Sequence, residues 1–150
     1  MSLTGVWMNE LKSILSLDED EDGTLTGKFR SIVGRDPHVR ILTGRVSPIE
    51  SGKQMLGFAV QFQIEEPGSG YGHYSVCTWC GWAGDKAPSQ TITTQWLLTI
   101  SRLSKEDEWS STTTGCDTFE KVLASPEEKY LSADRQALEQ LLAKSRIRAD

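Results

Sequence analysis

The sequence predicts an all-β chain: an eight-stranded antiparallel up-and-down β-barrel with an α-helical extension at its C-terminus. Three observations carry this. Apolar and polar residues alternate in about eight short runs. Turn-forming residues separate those runs at hairpin distances. All five tryptophans lie on alternating segments, which suits aromatic side chains lining one face of a sheet. A meander of that strand number closes naturally on itself and so removes its edges.

The elements follow in order. From Gly5 to Leu17 the alternation runs in pieces, and Trp7, Asn9, Leu11 and Ser13 share one face. Asp18 to Gly23 is an acidic turn whose Asp22-Gly23 pair signals a hairpin. Leu25, Gly27, Phe29 and Ser31 share the inward face of the third strand, and Gly34-Arg35-Asp36-Pro37 ends it. Further strands are expected over Val39–Val46, Met55–Ile64, Tyr71–Trp82, Gln90–Ile100 and Glu108–Cys116. Turn-like stretches at Pro48–Lys53, Glu65–Gly70, Gly84–Ser89 and Ser104–Asp107 separate them.

The C-terminus has a different period. Ser125 is suited to cap a helix, Pro126 to open it, and Glu127 and Glu128 to the first turn, with Glu128 at capping-box spacing from Ser125. Leu131, Leu138, Leu141 and Leu142 recur at helical spacing, and Lys144, Arg146 and Arg148 crowd the end. The expectation is a barrel over residues 1–122 and a helical extension or tail over 123–150. That helix either frays or docks on the barrel or on a neighbouring subunit.

Composition narrows the function. A chain of 150 residues is one domain with a modest core. Its formal net charge of -5 argues against a nucleic-acid surface. No apolar run nears the roughly 20 residues of a membrane helix. No basic stretch followed by an apolar one opens the chain, so no signal peptide is expected. Three cysteines, Cys77, Cys80 and Cys116, favour a reducing compartment over a disulfide framework. A cytoplasmic or a secreted setting is expected. Cys77-Thr78-Trp79-Cys80 has redox or zinc spacing, but on a strand positions three apart face opposite ways and cannot share a metal. His38 and His73 show no Ser-His-Asp ordering or metal-ligand spacing, so the chain is not expected to be an enzyme and needs no cofactor.

Strand parity then assembles an interior. Trp79 shares a face with Ser75 and Cys77, Trp96 with Thr94 and Leu98, and Asp117 with Gly115. Aromatic walls with a few hydrogen-bonding groups describe a site for one small polar-headed ligand, such as a urea or amide. Taken singly, a strand tryptophan is ordinarily core, and a serine or asparagine near a strand end ordinarily serves a turn. An aspartate facing inward is harder to dismiss, because an unpaired buried carboxylate is costly.

At these residues the chain resembles the avidin and streptavidin family, and within it the fungal tamavidin-like proteins. The pieces that carry the resemblance are Ser2 to Leu11, Asp22 to Phe29, Leu42-Thr43-Gly44-Arg45, Thr94-Gln95-Trp96-Leu97-Leu98 and Gly115-Cys116-Asp117-Thr118-Phe119. They stand in family order and spacing over residues 2 to about 121. The resemblance implies high-affinity biotin binding without chemistry, in a barrel that assembles as a homotetramer, with a dimer as the fallback. It implies that Asn9 and Ser13 donate to the ureido oxygen and that Ser31 and Asp117 accept from the ureido N–H groups. It places Cys77 against the thioether sulfur and Ser75 near the carboxylate. Leu11, Trp79, Trp96 and Leu98 then belong to the biotin site, Val33, Gly34 and Arg35 to a loop over the ligand's tail. Trp109 reaches a neighbouring subunit's pocket.

Three positions depart from the family pattern. Phe29 stands where a tyrosine completes the trio of donors, Phe62 where a wall tryptophan stands, and Cys77 where a threonine stands. A lost hydrogen bond of that kind costs about 1.5–3 kcal/mol, or one to two decades of affinity. Arg35 either pairs with a carboxylate tail or is a solvated loop arginine. The alternatives are a barrel that has largely lost biotin binding and holds another ligand or serves a structural or defensive role, and a lipocalin-like carrier with a wider apolar cavity.

Overall fold

Alternation over hairpin-linked runs produces one continuous sheet rolled shut. The computed structural model describes residues 2–32, 36, 38–63, 71–86, 89–123 and 140. Eight strands are β1 (Gly5–Asn9), β2 (Ile14–Glu19), β3 (Thr24–Arg30), β4 (Arg40–Val46), β5 (Lys53–Gln63), β6 (Tyr71–Lys86), β7 (Ser89–Arg102) and β8 (Thr112–Leu123). Each pairs antiparallel with its neighbour in sequence, and β8 pairs back onto β1 to close the barrel.

Local chemistry sets the joints. Gly23, at φ 81, turns the β2–β3 hairpin, and a Cβ there would lie 2.6 Å from the Val46 carbonyl oxygen. The Asp22 carboxylate accepts from the Thr24 amide at 2.8 Å. Three joints differ from the sequence expectation. The first alternating stretch breaks between Asn9 and Ile14, because Asn9 Oδ1 accepts from the amides of Leu11 (3.1 Å) and Ser13 (2.8 Å) and folds the chain back. Lys12 takes a φ of 69 in that turn. Leu11 therefore sits half-exposed at its tip rather than on the inward face of Trp7 and Asn9.

The second difference is the start of the eighth strand. Lys105–Ser110 is a 3-10 helix, capped by Ser104, whose side chain accepts from the Glu106 amide, and Trp109 lies on it. β8 begins only at Thr112 and runs past Cys116 to Leu123. Third, β6 and β7 continue through much of the expected turn at Gly84–Ser89, with Lys86 opposite Ser89. The expected C-terminal helix, apart from Gln140, and the loop residues Val33, Gly34 and Arg35 lie outside the described residues.

The interior is filled from one end. Leu17, Leu25, Leu42, Val46, Leu56, Ala83, Ile92 and Phe119 belong to a buried cluster over the Trp7 side of the barrel. Burying that many aliphatic and aromatic side chains, at about 1.5–3 kcal/mol each, is the main stabilising term. Trp7 has no exposure, and its indole donates to the Leu3 carbonyl at 2.8 Å. Glu19 ties the same end together, accepting from the Leu3 amide (2.8 Å) and from Gln54 Nε2 (3.0 Å).

The opposite end is held by Asp36. Its carboxylate accepts from Arg40 Nε (2.6 Å) and Nη2 (3.0 Å), from the Gln63 amide (2.8 Å) and from the His38 amide (3.1 Å). One buried acid thus joins the β3–β4 link to the start of β4 and the end of β5. Burial opposes its ionisation, but the Arg40, Gln63 and His38 donors outweigh that and hold its pKa below the ordinary value.

A depressed carboxyl pKa adds stability that is present above the unfolded carboxyl range and lost as pH falls through the lower folded value. Asp36→Asn should cost about 3 kcal/mol at neutral pH, since it removes a buried charge that the Arg40 guanidinium, the Gln63 amide and the His38 amide all bond. Urea midpoints of the two proteins should draw together as pH falls below the ordinary carboxyl range and on through the lowered folded value. A gap that does not narrow contradicts this role.

Candidate ligand-binding site

The order of strand ends decides where a ligand can sit. β1, β3, β5 and β7 finish, and β2, β4, β6 and β8 begin, at the end opposite the apolar plug. Asn9, Phe62, Ser75, Cys77 and Leu98 lie toward that end of their strands, with Ser13 just before β2 and Ser31 just past β3. The cross-strand register links them. Phe62 lies opposite Ser75, and Cys77 lies opposite both Val60 and Leu98. Trp79 pairs with Phe58 and Trp96, Trp96 with Gly115, and Thr94 with Asp117. Inward residues alternate with exposed ones from Tyr74 to Cys80 of β6, where Ser75, Cys77 and Trp79 are buried and Tyr74, Val76, Thr78 and Cys80 exposed. The two thiols of the C-x-x-C sequence therefore lie on opposite faces of the wall.

A polar group sits where the apolar filling stops. Asp117 is buried, and Trp79 Nε1 donates to its Oδ2 at 2.8 Å. Thr94 fixes the backbone beneath it, its hydroxyl donating to the Asp117 carbonyl at 3.0 Å. Burial raises the Asp117 pKa. The Trp79 indole opposes that shift, the Glu10 charge adds to it, and the Asn9 amide opposes it. Glu10 is itself held beside the site, accepting from the Thr118 amide at 3.0 Å.

Asn9 has a defined orientation because its two ends do different work. Oδ1 is the acceptor for the Leu11 and Ser13 amides, so the NH2 end is the one directed at Asp117. Ser13 is almost fully buried beside it. Ser31 is half-buried just past the end of β3. A carboxylate has room for about four hydrogen bonds, so Asp117 retains acceptor capacity beyond the indole and the amide.

The walls are aromatic. Trp79 stacks on Phe58, with ring centroids 5.1 Å apart and planes 19° apart. Phe29 meets Trp79 at 5.1 Å and Phe62, in a T-shaped contact, at 5.6 Å. Such contacts add about 0.5–1.5 kcal/mol beyond area burial and fix the rings against one another. Trp96 lies flat across Gly115, where a Cβ would come within 2.3 Å of the indole. Cys77 is buried, and burial together with the Asp117 charge pushes its thiol up to about 12. It stays protonated, a weak donor and a small apolar group.

Strand alternation thus brings together Asn9, Ser13, Phe29, Phe62, Ser75, Cys77, Trp79, Trp96, Leu98 and Asp117, with Ser31 at the rim. Leu11 stays outside, on its turn. Trp109, 87% exposed on the 3-10 helix, does not enter its own barrel. Parity gave no role to four further residues at the site. Phe58 backs Trp79 and was visible as the inward neighbour of Leu56 and Val60. Thr94 shares the face of Trp96. Glu10 and Asp36 act from outside the alternating faces, and nothing in the pattern marks them.

This arrangement can orient and grip a small molecule with donors on one side and an acceptor on the other. Among the described residues, no group of three or more His, Cys, Asp and Glu side chains is placed to hold a metal ion. A model of the avidin family matches residues 1–122, which takes in β1 to β7 and all but the last residue of β8. With the closed meander of eight strands, that match settles the relationship: the chain belongs to the avidin family, whose members bind and do not catalyse.

Proposed function

We propose that this chain binds biotin without chemistry, one molecule per barrel, with its ureido ring beside Asn9, Ser13, Ser31 and Asp117. The observation that carries the reading is the buried Asp117 carboxylate, faced by the Asn9 amide and braced by Trp79. A cyclic urea presents one oxygen and two N–H groups. Asn9 and Ser13 supply donors for the oxygen, and Asp117 and Ser31 supply acceptors for the N–H groups. Trp79, Trp96, Phe62 and Leu98 enclose the apolar ring and chain.

The same residues argue for weaker binding than the near-ceiling affinity of streptavidin for biotin. Phe29 brings a ring where a third donor to the ureido oxygen would stand. It meets Phe62 in a T-shaped contact and Trp79 at a tilt, so it strengthens the wall while leaving the oxygen two donors. Phe62 is smaller than an indole, and Cys77 donates weakly.

Assembly follows from the outer surface. Met55 and Trp82 are register partners on the outside of β5 and β6, and both are about half exposed, as are Val76 and Leu97 nearby. Half-exposed apolar side chains along this outer face and a projecting indole at Trp109 are suited to contact with further copies of the chain. A homotetramer, with a dimer as the fallback, would bury them.

Titration calorimetry with biotin should give saturable binding at one site per chain. Phe29→Tyr should tighten it by about one to two decades, the worth of one hydrogen bond to a polar ligand oxygen. No heat and no thermal shift for either protein would sink the proposal and favour a barrel that has lost this ligand.

Asp117→Asn separates binding from stability. A raised carboxyl pKa means that the ionised acid costs stability above its folded value, a cost that vanishes below the ordinary carboxyl range. The ligand-free variant should therefore melt higher than the parent at neutral pH and equally at about pH 3. It should also bind biotin more weakly. A variant that melts lower at neutral pH and binds unchanged contradicts both roles.

A further inference from the structure

The outer face of a barrel wall is normally wet, and β1 and β2 depart from that. Trp7, Leu15 and Leu17 point inward and join the interior cluster. Their alternating neighbours Val6, Met8 and Ile14 point outward and do not join it. Yet Val6 and Ile14 are 0% exposed and Met8 is 6% exposed. The register pairs Val6 with Ser16 and Met8 with Ile14, which makes one continuous outer patch. Ser16 is buried as well. Outward apolar residues on β5–β7, such as Met55 and Leu97, are about half exposed instead. Among the described elements none lies over the β1–β2 patch: all eight strands are in the wall, and the 3-10 helix packs on β7.

The chain itself arrives at this patch. β8 ends at Leu123, the register partner of Val6, and residues 124–150 follow. Gln140 is α-helical and exposed. At about 100° per residue, Leu131, Leu138 and Leu142 fall within about 20° of one line, and Gln140 lies about 180° from it. A helix with Gln140 toward water turns that leucine stripe the other way. Only Ala124 and Ser125 separate the end of β8 from the expected helix start at Pro126, so the helix must pack close to where the strand ends. Lys28 and Arg30, the β3 partners of Ser16 and Ile14, give the patch a cationic flank. The segment carries Glu127, Glu128, Asp134 and Glu139 to meet it.

We infer that residues 126–145 form an amphipathic helix docked on the outer face of β1 and β2 of the same chain, with Leu131, Leu138 and Leu142 seated on Val6, Met8 and Ile14. The docked helix seals this quadrant against other subunits, so assembly is left to the β5–β7 face. It also braces the two strands that end in Asn9 and begin beside Ser13.

Hydrogen exchange on the full chain tests this without any ligand, so its outcome is separate from that of the biotin reading. Amides of residues 131–142 should exchange about tenfold or more slower than in an unstructured peptide. In the double variant Leu138→Glu, Leu142→Glu that protection should vanish, the melting midpoint should fall, and a dye that binds apolar surface should brighten. Unprotected amides in the parent overturn the inference, as does a variant with unchanged midpoint and dye signal. If the leucines instead seat on a second copy, the double variant loses protection together with mass in solution, which overturns docking within one chain. A chain ending at Leu123 is the second variant. Its folded barrel should bind the dye, and a folded barrel that does not would equally refute the sealed patch.

Discussion

A carboxylate buried inside an aliphatic and aromatic cylinder governs how the rest of this barrel is arranged. Taking Asp117 out of water costs several kcal/mol unless donors surround it. The barrel meets that cost only in part. The Trp79 indole donates directly, the Asn9 amide contributes, and Thr94 holds the backbone. Burial and the neighbouring Glu10 charge still leave the acid harder to ionise than in water. A group kept in that state by a fold is an unfinished interaction, and a ligand that brings N–H donors completes it. The orientation of Trp79 and Asn9 follows from the same requirement, since both are turned toward the acid rather than toward solvent.

The two ends of the cylinder divide the labour accordingly. The plugged end is apolar, buried and latched by Glu19 and by the Trp7 indole, and it contributes stability. The other end carries groups whose hydrogen-bonding capacity is not exhausted, and its rim is braced by Asp36 rather than by packing. The two buried acids have opposite electrostatic settings. Asp36 has more donors than burial can offset, so it is held ionised and stabilises the fold. Asp117 has fewer, so it is kept reactive toward a donor.

Much of this was legible in the sequence because period-two alternation is a strong signal and the tryptophans mark its inward phase. Parity alone places Asn9, Ser13, Trp79, Trp96 and Asp117 on one interior and faces Cys77 and Cys80 opposite ways. What failed was local geometry that parity does not encode. Leu11 kept the parity of Trp7 and Asn9 but lost their face, because Asn9 folds the chain back on itself at that point. Trp109 alternates with its neighbours as a strand residue does, whereas the Ser104 cap and the acidic run after it wind those residues into a 3-10 turn. Asp36 gave no signal, since its partners Arg40 and Gln63 come from two different strands. Its importance exists only once β3, β4 and β5 lie side by side.

The outer surface carries a similar asymmetry. On β5–β7, half-exposed Met55, Trp82, Val76 and Leu97 remain available for contact with another molecule. On β1–β2 the equivalent apolar positions are already closed to water. A symmetric assembly needs a self-complementary patch on every subunit, and a barrel offers several faces of similar shape. Covering one of them with the chain's own terminus removes a competing mode of association at little cost, because Leu123 already delivers the chain beside Val6 and the closure entropy of so short a link is small. β1 ends in Asn9 and β2 begins beside Ser13, so a helix docked as inferred would also limit how far the donor side of the site can move relative to Asp117. Partner selection and site geometry thereby become consequences of the same covered face.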